Sequence, residues 1–385
     1  MTRQPSYEVI VVGGGPAGLT TALYTTRLGH RTALVTREGG RHELVDAVHN
    51  LIGVSEDTSG PELAAVAVAQ LEEYGADYYE DAVTSVERVA DGETGTDGAE
   101  TGGEETPADR PSTSDGGEAG EATDSGRRFH VEAAHADIFA DRVVLATGFT
   151  DEAPRVPDLQ RYTGHGLHYC LHCDAYTLGD ASVFVVGHDD HAAEIAMTLL
   201  NFTGDVDLVL NGEDPSWDDE TATQVETHPI EVLSRTVAST FPDEGAADPP
   251  WIGGLEFGDG TTREYAGGFA VYGRSYNSDL AADLGCDLND DGSVAVDDDY
   301  ETSVDGLYAV GDVTHGQNQT PVAIGDGAYA GIAIHHDIRR FPLSSEECAD
   351  RDAEDIEAPA AADDLRARMR RHRTLNDHAG MTPDE

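Results

Sequence analysis

The first apolar run of the chain, Tyr7 to Val12, is β-branched and uninterrupted, as expected for a parallel strand buried on both faces. It enters Gly13-Gly14-Gly15-Pro16-Ala17-Gly18, then a helical pattern from Leu19 to Leu28 that Gly29 ends, and a second strand at Arg31 to Val35. An irregular stretch from Gly39 to Gly53, holding Asn50, precedes a helix that starts at Gly60-Pro61-Glu62 and runs to about Tyr74. Strand patterns follow at Ala76 to Val89, Arg128 to Glu132 and Ile138 to Leu145, the last leading into Ala146-Thr147-Gly148. Pro154 and Pro157 mark a linker. Beyond it come strands at Ser182 to Val186 and Val206 to Leu210, and a strand at Gly268 to Val271. Gly285 to Val296 has the pattern of a loop and hairpin, Gly306 to Asp312 that of a strand with an acid at its tip. A helix from Pro321 to Ile338 has small residues at its start.

Two stretches break the pattern. Residues 91–126 are Gly, Glu, Thr, Asp, Ser and Ala with almost no large apolar side chain, a composition that cannot bury a core, so a disordered acidic insert in a hairpin is expected. The tail from Phe341 is acidic and then abruptly basic at Leu365 to Arg373, as for an exposed helix or flexible end resting on an acidic body. With 385 residues, two domains are expected.

Charge changes the picture next. The formal net charge is −52, and all 23 basic residues are arginine. Such a surface repels phosphate, which argues against nucleic-acid binding. It also repels itself at low salt; at molar salt the Debye length falls to about 3 Å and the repulsion is screened. A halophilic cytoplasm is the expectation. Four cysteines suit a reducing compartment. Neither a signal-peptide pattern nor a membrane-spanning apolar run is visible, so a cytoplasmic protein without membrane contact is expected.

The chemistry concentrates in Tyr169-Cys-Leu-His-Cys-Asp-Ala-Tyr176. Cys170 and Cys173 have the spacing of a small, reducible disulfide. Closing so short a loop gains little chain entropy, so the pair reads as redox chemistry rather than a staple. Asp174 stands beside the thiols, where an acid or base controls thiolate supply. Two readings compete: a zinc site using His168 and His172, and inert buried thiols. The zinc reading lacks a second cysteine pair, because Cys286 and Cys348 stand apart.

The first glycine turn sits between a strand and a helix, the context in which backbone approaches a pyrophosphate at a helix N-terminus. Thr36 stands where an acidic ribose ligand is usual; Glu38 is the alternative. A second strand–turn–helix unit carries Gly187-His188-Asp189-Asp190-His191-Ala192, which keeps one glycine and puts two carboxylates where a pyrophosphate would lie. The next strand ends in Asn211-Gly212-Glu213-Asp214, without an arginine for a 2′-phosphate.

The glycine turn, Ala146-Thr147-Gly148, Cys-x-x-Cys-Asp, and Gly311-Asp312 with the Gln319 helix occur in this order between about Tyr7 and Ile338. Together they resemble the low-molecular-weight thioredoxin reductases and their relatives. The resemblance implies an α/β fold of two Rossmann-like three-layer domains, a central one (154–267) inserted into a discontinuous FAD-binding domain (1–150 and 268–340), with a charged tail at 341–385. It implies FAD held by Gly13, Gly15, Pro16, Ala17 and Gly18, with Glu38, Asn50, Thr147, Gly148, Asp312, Gln319 and Thr320 in cofactor-contacting stretches. Catalytic roles would fall to Cys173 facing the flavin, Cys170 exchanging with the partner disulfide, and Asp174 shuttling the proton; no metal is implied. A homodimer and a thioredoxin-like protein or small disulfide as partner are expected. The family's central domain binds NADPH through a glycine turn and arginines, absent here, and Asn318 stands where it usually has arginine. Either NAD(P)H binds in an altered way or electrons travel otherwise, as in relatives that use ferredoxin or that oxidise dithiols and pass electrons to oxygen. A non-enzymatic redox sensor is a third reading.

Overall fold

The structure is a computed structural model. It describes residues 5–37, 40–89, 128–245, 249–349, 351, 356 and 363–381; the loop expected at 91–126 and the candidate Glu38 lie outside them. From the N-terminus, β1 (Ser6–Val12) leads into α1 (Pro16–Arg27) and β2 (Thr32–Thr36), and β1 and β2 pair in parallel. Proline at the first helical position of α1 has no N–H to leave unpaired there. Helix α2 (Gly60–Tyr74) is started by a capping box: the Glu62 amide donates to Ser59 Oγ, and the Ser59 amide donates to the Glu62 carboxylate at 2.9 Å. The strand pattern at 76–89 forms two strands, β3 (Asp77–Glu80) and β4 (Val83–Arg88), parted by residues 81–82.

β4 pairs antiparallel with β5 (Phe129–Ala133), which pairs antiparallel with β6 (Asp137–Leu145). The chain between Arg88 and Phe129 therefore joins two hydrogen-bonded strands, in line with the expected hairpin. After β6, a short β7 (Phe149–Asp151) carries the chain to β8 (Leu167–His168), α3 (Leu171–Leu178), β9 (Val183–Val186), α4 (Asp190–Leu199), β10 (Val206–Val209), α5 (Asp219–Thr227) and β11 (Glu231–Leu233). An antiparallel group, β12 (Val237–Pro242), β13 (Ile252–Phe257) and β14 (Thr262–Glu264), precedes β15 (Gly267–Ala270). Then β16 (Arg274–Tyr276), α6 (Asp279–Asp283), β17 (Leu307–Ala309) and α7 (Thr320–Ile338) follow, and the tail holds α8 (Ser345–Ala349) and α9 (Asp363–His372).

Two sheets organise the molecule. One runs β3-β2-β1-β6-β5-β4, with β17 beside the end of β6; the other runs β11-β10-β9-β15-β8 and is parallel throughout. This is the α/β fold of two Rossmann-like layered units, the central one inserted into the other. One expectation needs correcting. The resemblance puts the strand at 268–271 in the first unit, but β15 pairs with β9 and β8 in the central sheet. A short apolar strand carries no mark of which sheet it joins; its partners decide. The crossings between the sheets run side by side as an antiparallel ribbon, Phe149 opposite Tyr276.

Helices α1 and α7 pack so closely that a Cβ on Gly327 would lie 2.3 Å from the Ala17 carbonyl oxygen, which explains the small residues of α7. Among the described residues no helix is long and apolar enough to cross a membrane.

The central sheet is tied at its base by an interaction invisible in the apolar pattern. Asp207, in β10, is buried and accepts hydrogen bonds from Arg263 at 2.6 Å and Tyr265 Oη at 2.5 Å; Arg263 also pairs with Glu231 at 2.7 Å. Burial, then the bond to Asp207, push the Tyr265 hydroxyl pKa upward, so it stays a donor. Removing Asp207 leaves the buried Tyr265 hydroxyl without its acceptor and Arg263 with Glu231 alone. Asp207→Ala is expected to cost about 3 kcal/mol of unfolding free energy, measured by denaturant titration in molar salt.

Candidate active site

The disulfide is closed between Cys170 and Cys173. Cys170 is the N-cap of α3, and the amides of Cys173 and Asp174 both donate to its carbonyl at 3.2 Å. Both sulfurs thus stand at a helix N-terminus, where the partial positive charge favours a thiolate once the bond is opened. Asp174, in the first turn, has its carboxylate 3.3 Å from His168 Nδ1, and His168 is buried on the adjoining strand β8. The histidine weighed as a zinc ligand is turned toward the aspartate.

Gln319, the N-cap of α7, brings the other unit to the disulfide. Its Nε2 lies 3.5 Å from Cys170 Sγ and its Oε1 lies 4.0 Å from Cys173 Sγ. Asn50 Nδ2 donates to Gln319 Oε1 at 2.9 Å and lies 3.7 Å from Cys173 Sγ. The fold therefore gathers Cys170, Cys173, Asp174, Asn50 and Gln319, with Thr320 next in the chain, from three separate stretches.

The dinucleotide-type candidates cluster around the end of β1. Gly13 has φ +114°, and a Cβ on it would lie 2.3 Å from the Ala146 carbonyl oxygen; one on Gly18 would lie 2.0 Å from Gly13 O. At Gly15 a Cβ would meet nothing within 4 Å, and α1 begins without a side-chain cap or an acidic residue in its first turn. Gly148 lies against Asp312, and Thr147 exchanges hydrogen bonds with Asn277, donating from Oγ1 at 2.7 Å and accepting through its carbonyl at 2.8 Å. Asp312 borders a cleft of about 350 Å³ that also touches Gly311, Asn318 and Asp326. Burial pushes the Asp312 pKa upward, and Arg41, 3.9 Å away, works against that shift. An uncapped helix end, a glycine turn and an acid at the neighbouring strand tip fit the pyrophosphate and sugar hydroxyls of FAD.

Sequence reading missed Arg41 and Arg274, whose guanidiniums stand 4.5 and 4.8 Å from the Phe149 ring centroid. Arg41 also pairs with Asp151 at 2.7 Å, and Arg274 donates to Asn318. Their signal was scarcity: basic residues are few in so acidic a chain, and two converge beside Asp312.

The second turn differs. Asp189 caps α4 with its own carboxylate, accepting the Ala192 amide at 2.9 Å, and Asp190 accepts the Asp218 amide at 3.0 Å. The helix end that a pyrophosphate would use is filled by the chain itself.

This geometry, a glycine-turn dinucleotide fold beside a C-x-x-C disulfide, defines a disulfide oxidoreductase of the flavoenzyme class. The family profile of the pyridine nucleotide-disulphide oxidoreductases matches residues 7–327, and the chain belongs to that family. It is 29% identical over 341 residues to the F component of alkyl hydroperoxide reductase from Pseudomonas putida, covering 86% of this chain and 58% of that relative, so it spans little more than half of that protein's length. It is 26% identical over 334 residues to the thioredoxin reductase of Peptoclostridium acidaminophilum, covering 84% and 94%. The crystal structure of thioredoxin reductase from Streptococcus pyogenes shares the fold, with a TM-score of 0.71 at 24% identity over 86% of this chain and 98% of that one.

Gly18→Ala forces a Cβ against Gly13 O. The variant is expected to purify with less than about a tenth of the wild-type flavin, a loss of about 1.4 kcal/mol or more in binding, read from the ratio of flavin to protein absorbance.

Proposed function

We propose that this protein is a thioredoxin reductase-like flavoenzyme that exchanges electron pairs with a thioredoxin-like protein or small disulfide through Cys170 and Cys173. The observation that carries this reading is the closed disulfide held against Gln319 and Asn50. FAD, when bound at the β1–α1 turn, supplies the two-electron carrier. The site residues would be those expected from the sequence: Gly13, Gly15, Pro16, Ala17, Gly18, Asn50, Thr147, Gly148, Asp312, Gln319 and Thr320 for the cofactor, with Glu38 proposed from sequence alone.

With the dithiol formed, the Cys170 thiolate attacks one sulfur of the partner disulfide and the other sulfur leaves as a thiolate. The Cys173 thiolate then attacks Cys170 of the mixed disulfide, closing the internal bond and releasing the partner's second thiolate. Asp174, steadied by His168, moves the protons that these steps release and take up. Cys170 suits attack because it heads α3. An acidic surface of this density fits work in a salt-rich cytoplasm, and a homodimer is the proposed assembly.

Asp189 filling the α4 N-terminus argues against ordinary NAD(P)H use, and reduced ferredoxin is the proposed donor. The same observation favours a second reading, a dithiol oxidase in which a small dithiol closes to a disulfide and oxygen takes its two electrons and two protons as hydrogen peroxide. An anaerobic titration in molar salt separates them. Under the first reading NADPH and NADH leave the flavin absorbance unchanged, while reduced ferredoxin drives reduction of a thioredoxin disulfide in the wild type and not in Cys173→Ser. Flavin bleaching by either nucleotide within the mixing time overturns the donor assignment. Peroxide formed from a dithiol in air, without ferredoxin-driven turnover, selects the oxidase.

A further inference from the structure

The basic tail ends on α2 in a way the redox chemistry does not use. The His372 ring stacks on Tyr74 at 4.4 Å between centroids, Gln70 donates to the Ala379 carbonyl at 3.1 Å, and the Ala379 amide donates to Glu73 Oε2 at 2.7 Å. Those contacts leave the other carboxylate oxygen, Glu73 Oε1, facing two imidazoles. His378 Nδ1 is hydrogen-bonded to it at 2.5 Å and His372 Nε2 is 3.0 Å from it. The three ligand atoms lie within 4.8 Å of one another, although Glu73 and His378 are 305 residues apart in sequence.

We propose that Glu73, His372 and His378 bind a divalent transition-metal ion of the zinc type, which fastens the C-terminal segment to α2. Two imidazole nitrogens and one carboxylate oxygen form a donor set that zinc accepts, with water in the fourth position. The open side lies at His378, whose side chain is half exposed, whereas Glu73 is 12% exposed. A simple ion-pair clamp leaves one feature unexplained. His372 Nε2 is buried and makes no hydrogen bond among the described residues, despite its nearness to Glu73 Oε1. A hydrogen bond needs the oxygen along the ring nitrogen's lone-pair direction. A bound cation would take that nitrogen's unused lone pair and replace the proton between His378 Nδ1 and Glu73 Oε1, the ligand atoms moving apart to coordination distance. The Ala379 amide on Glu73 Oε2 orients the carboxylate, the part that outer hydrogen bonds play around bound metals.

The test uses full-length protein with its disulfide closed, so that Cys170 and Cys173 are not thiolate ligands. It is freed of metal by a chelator and held in molar sodium chloride with excess magnesium to occupy weak carboxylate sites. Calorimetric titration with zinc chloride is expected to show one site per chain with a Kd below about 1 μM. His378→Ala and Glu73→Gln are expected to weaken it by about 100-fold with the flavin content unchanged. Zinc should also slow tryptic cleavage between Arg366 and Arg373 by about tenfold in the wild type. The proposal is overturned by zinc binding that magnesium abolishes or by wild-type affinity in His378→Ala. Where a variant fails to hold flavin, the wild-type digestion decides: an unchanged cleavage rate with zinc also overturns it.

Discussion

The contact on which this molecule turns is small: a disulfide at the head of α3 in the central unit, met by the side chains of Gln319 and Asn50 from the other unit. It joins the thiol chemistry of the central unit to the unit with the open glycine turn. Its geometry depends on two helix N-termini. Cys170 heads α3 and Gln319 heads α7, so both sulfurs and the amide that touches them are set by regular elements rather than by free loops. Elements of that kind hold reacting groups more exactly in place than loops do.

The two strand–turn–helix units form an internal comparison. Both present a strand, a tight turn and a helix, and in both the helix dipole favours an anion at its start. At α1 no side chain caps the helix and its first turn holds no acid. At α4 that place is taken by the Asp189 carboxylate, which gives the helix its own cap. A cap of this kind adds about 1 kcal/mol to the helix.

Much of this was legible because it is local. The glycine turn, the helix beginning at Gly60, the α7 span and the pairing of Cys170 with Cys173 all follow from residues within a few positions of one another. What was not legible is long-range. The membership of β15 in the central sheet rests on its pairing with β9 and β8, and a four-residue apolar strand does not encode that choice. Asp207 looks like a break in the apolar run of β10 and is in fact the acceptor for Arg263 and Tyr265, over fifty residues on. His168 is a candidate metal ligand by its nearness to cysteines, whereas folding turns it to Asp174. Arg41 and Arg274 give no motif, because what they form exists only around Phe149.

The central claim is that Cys173 links the disulfide to a bound flavin. Its most direct test is anaerobic mixing of the oxidised, flavin-loaded protein with dithiothreitol in molar salt, followed by absorbance in the wild type and in Cys173→Ser. The account predicts that the wild-type flavin bleaches while the variant, loaded to the same extent, keeps its colour over the same interval. Bleaching at the same rate in both proteins would contradict it, because electrons would then be reaching the flavin without the Cys170–Cys173 pair.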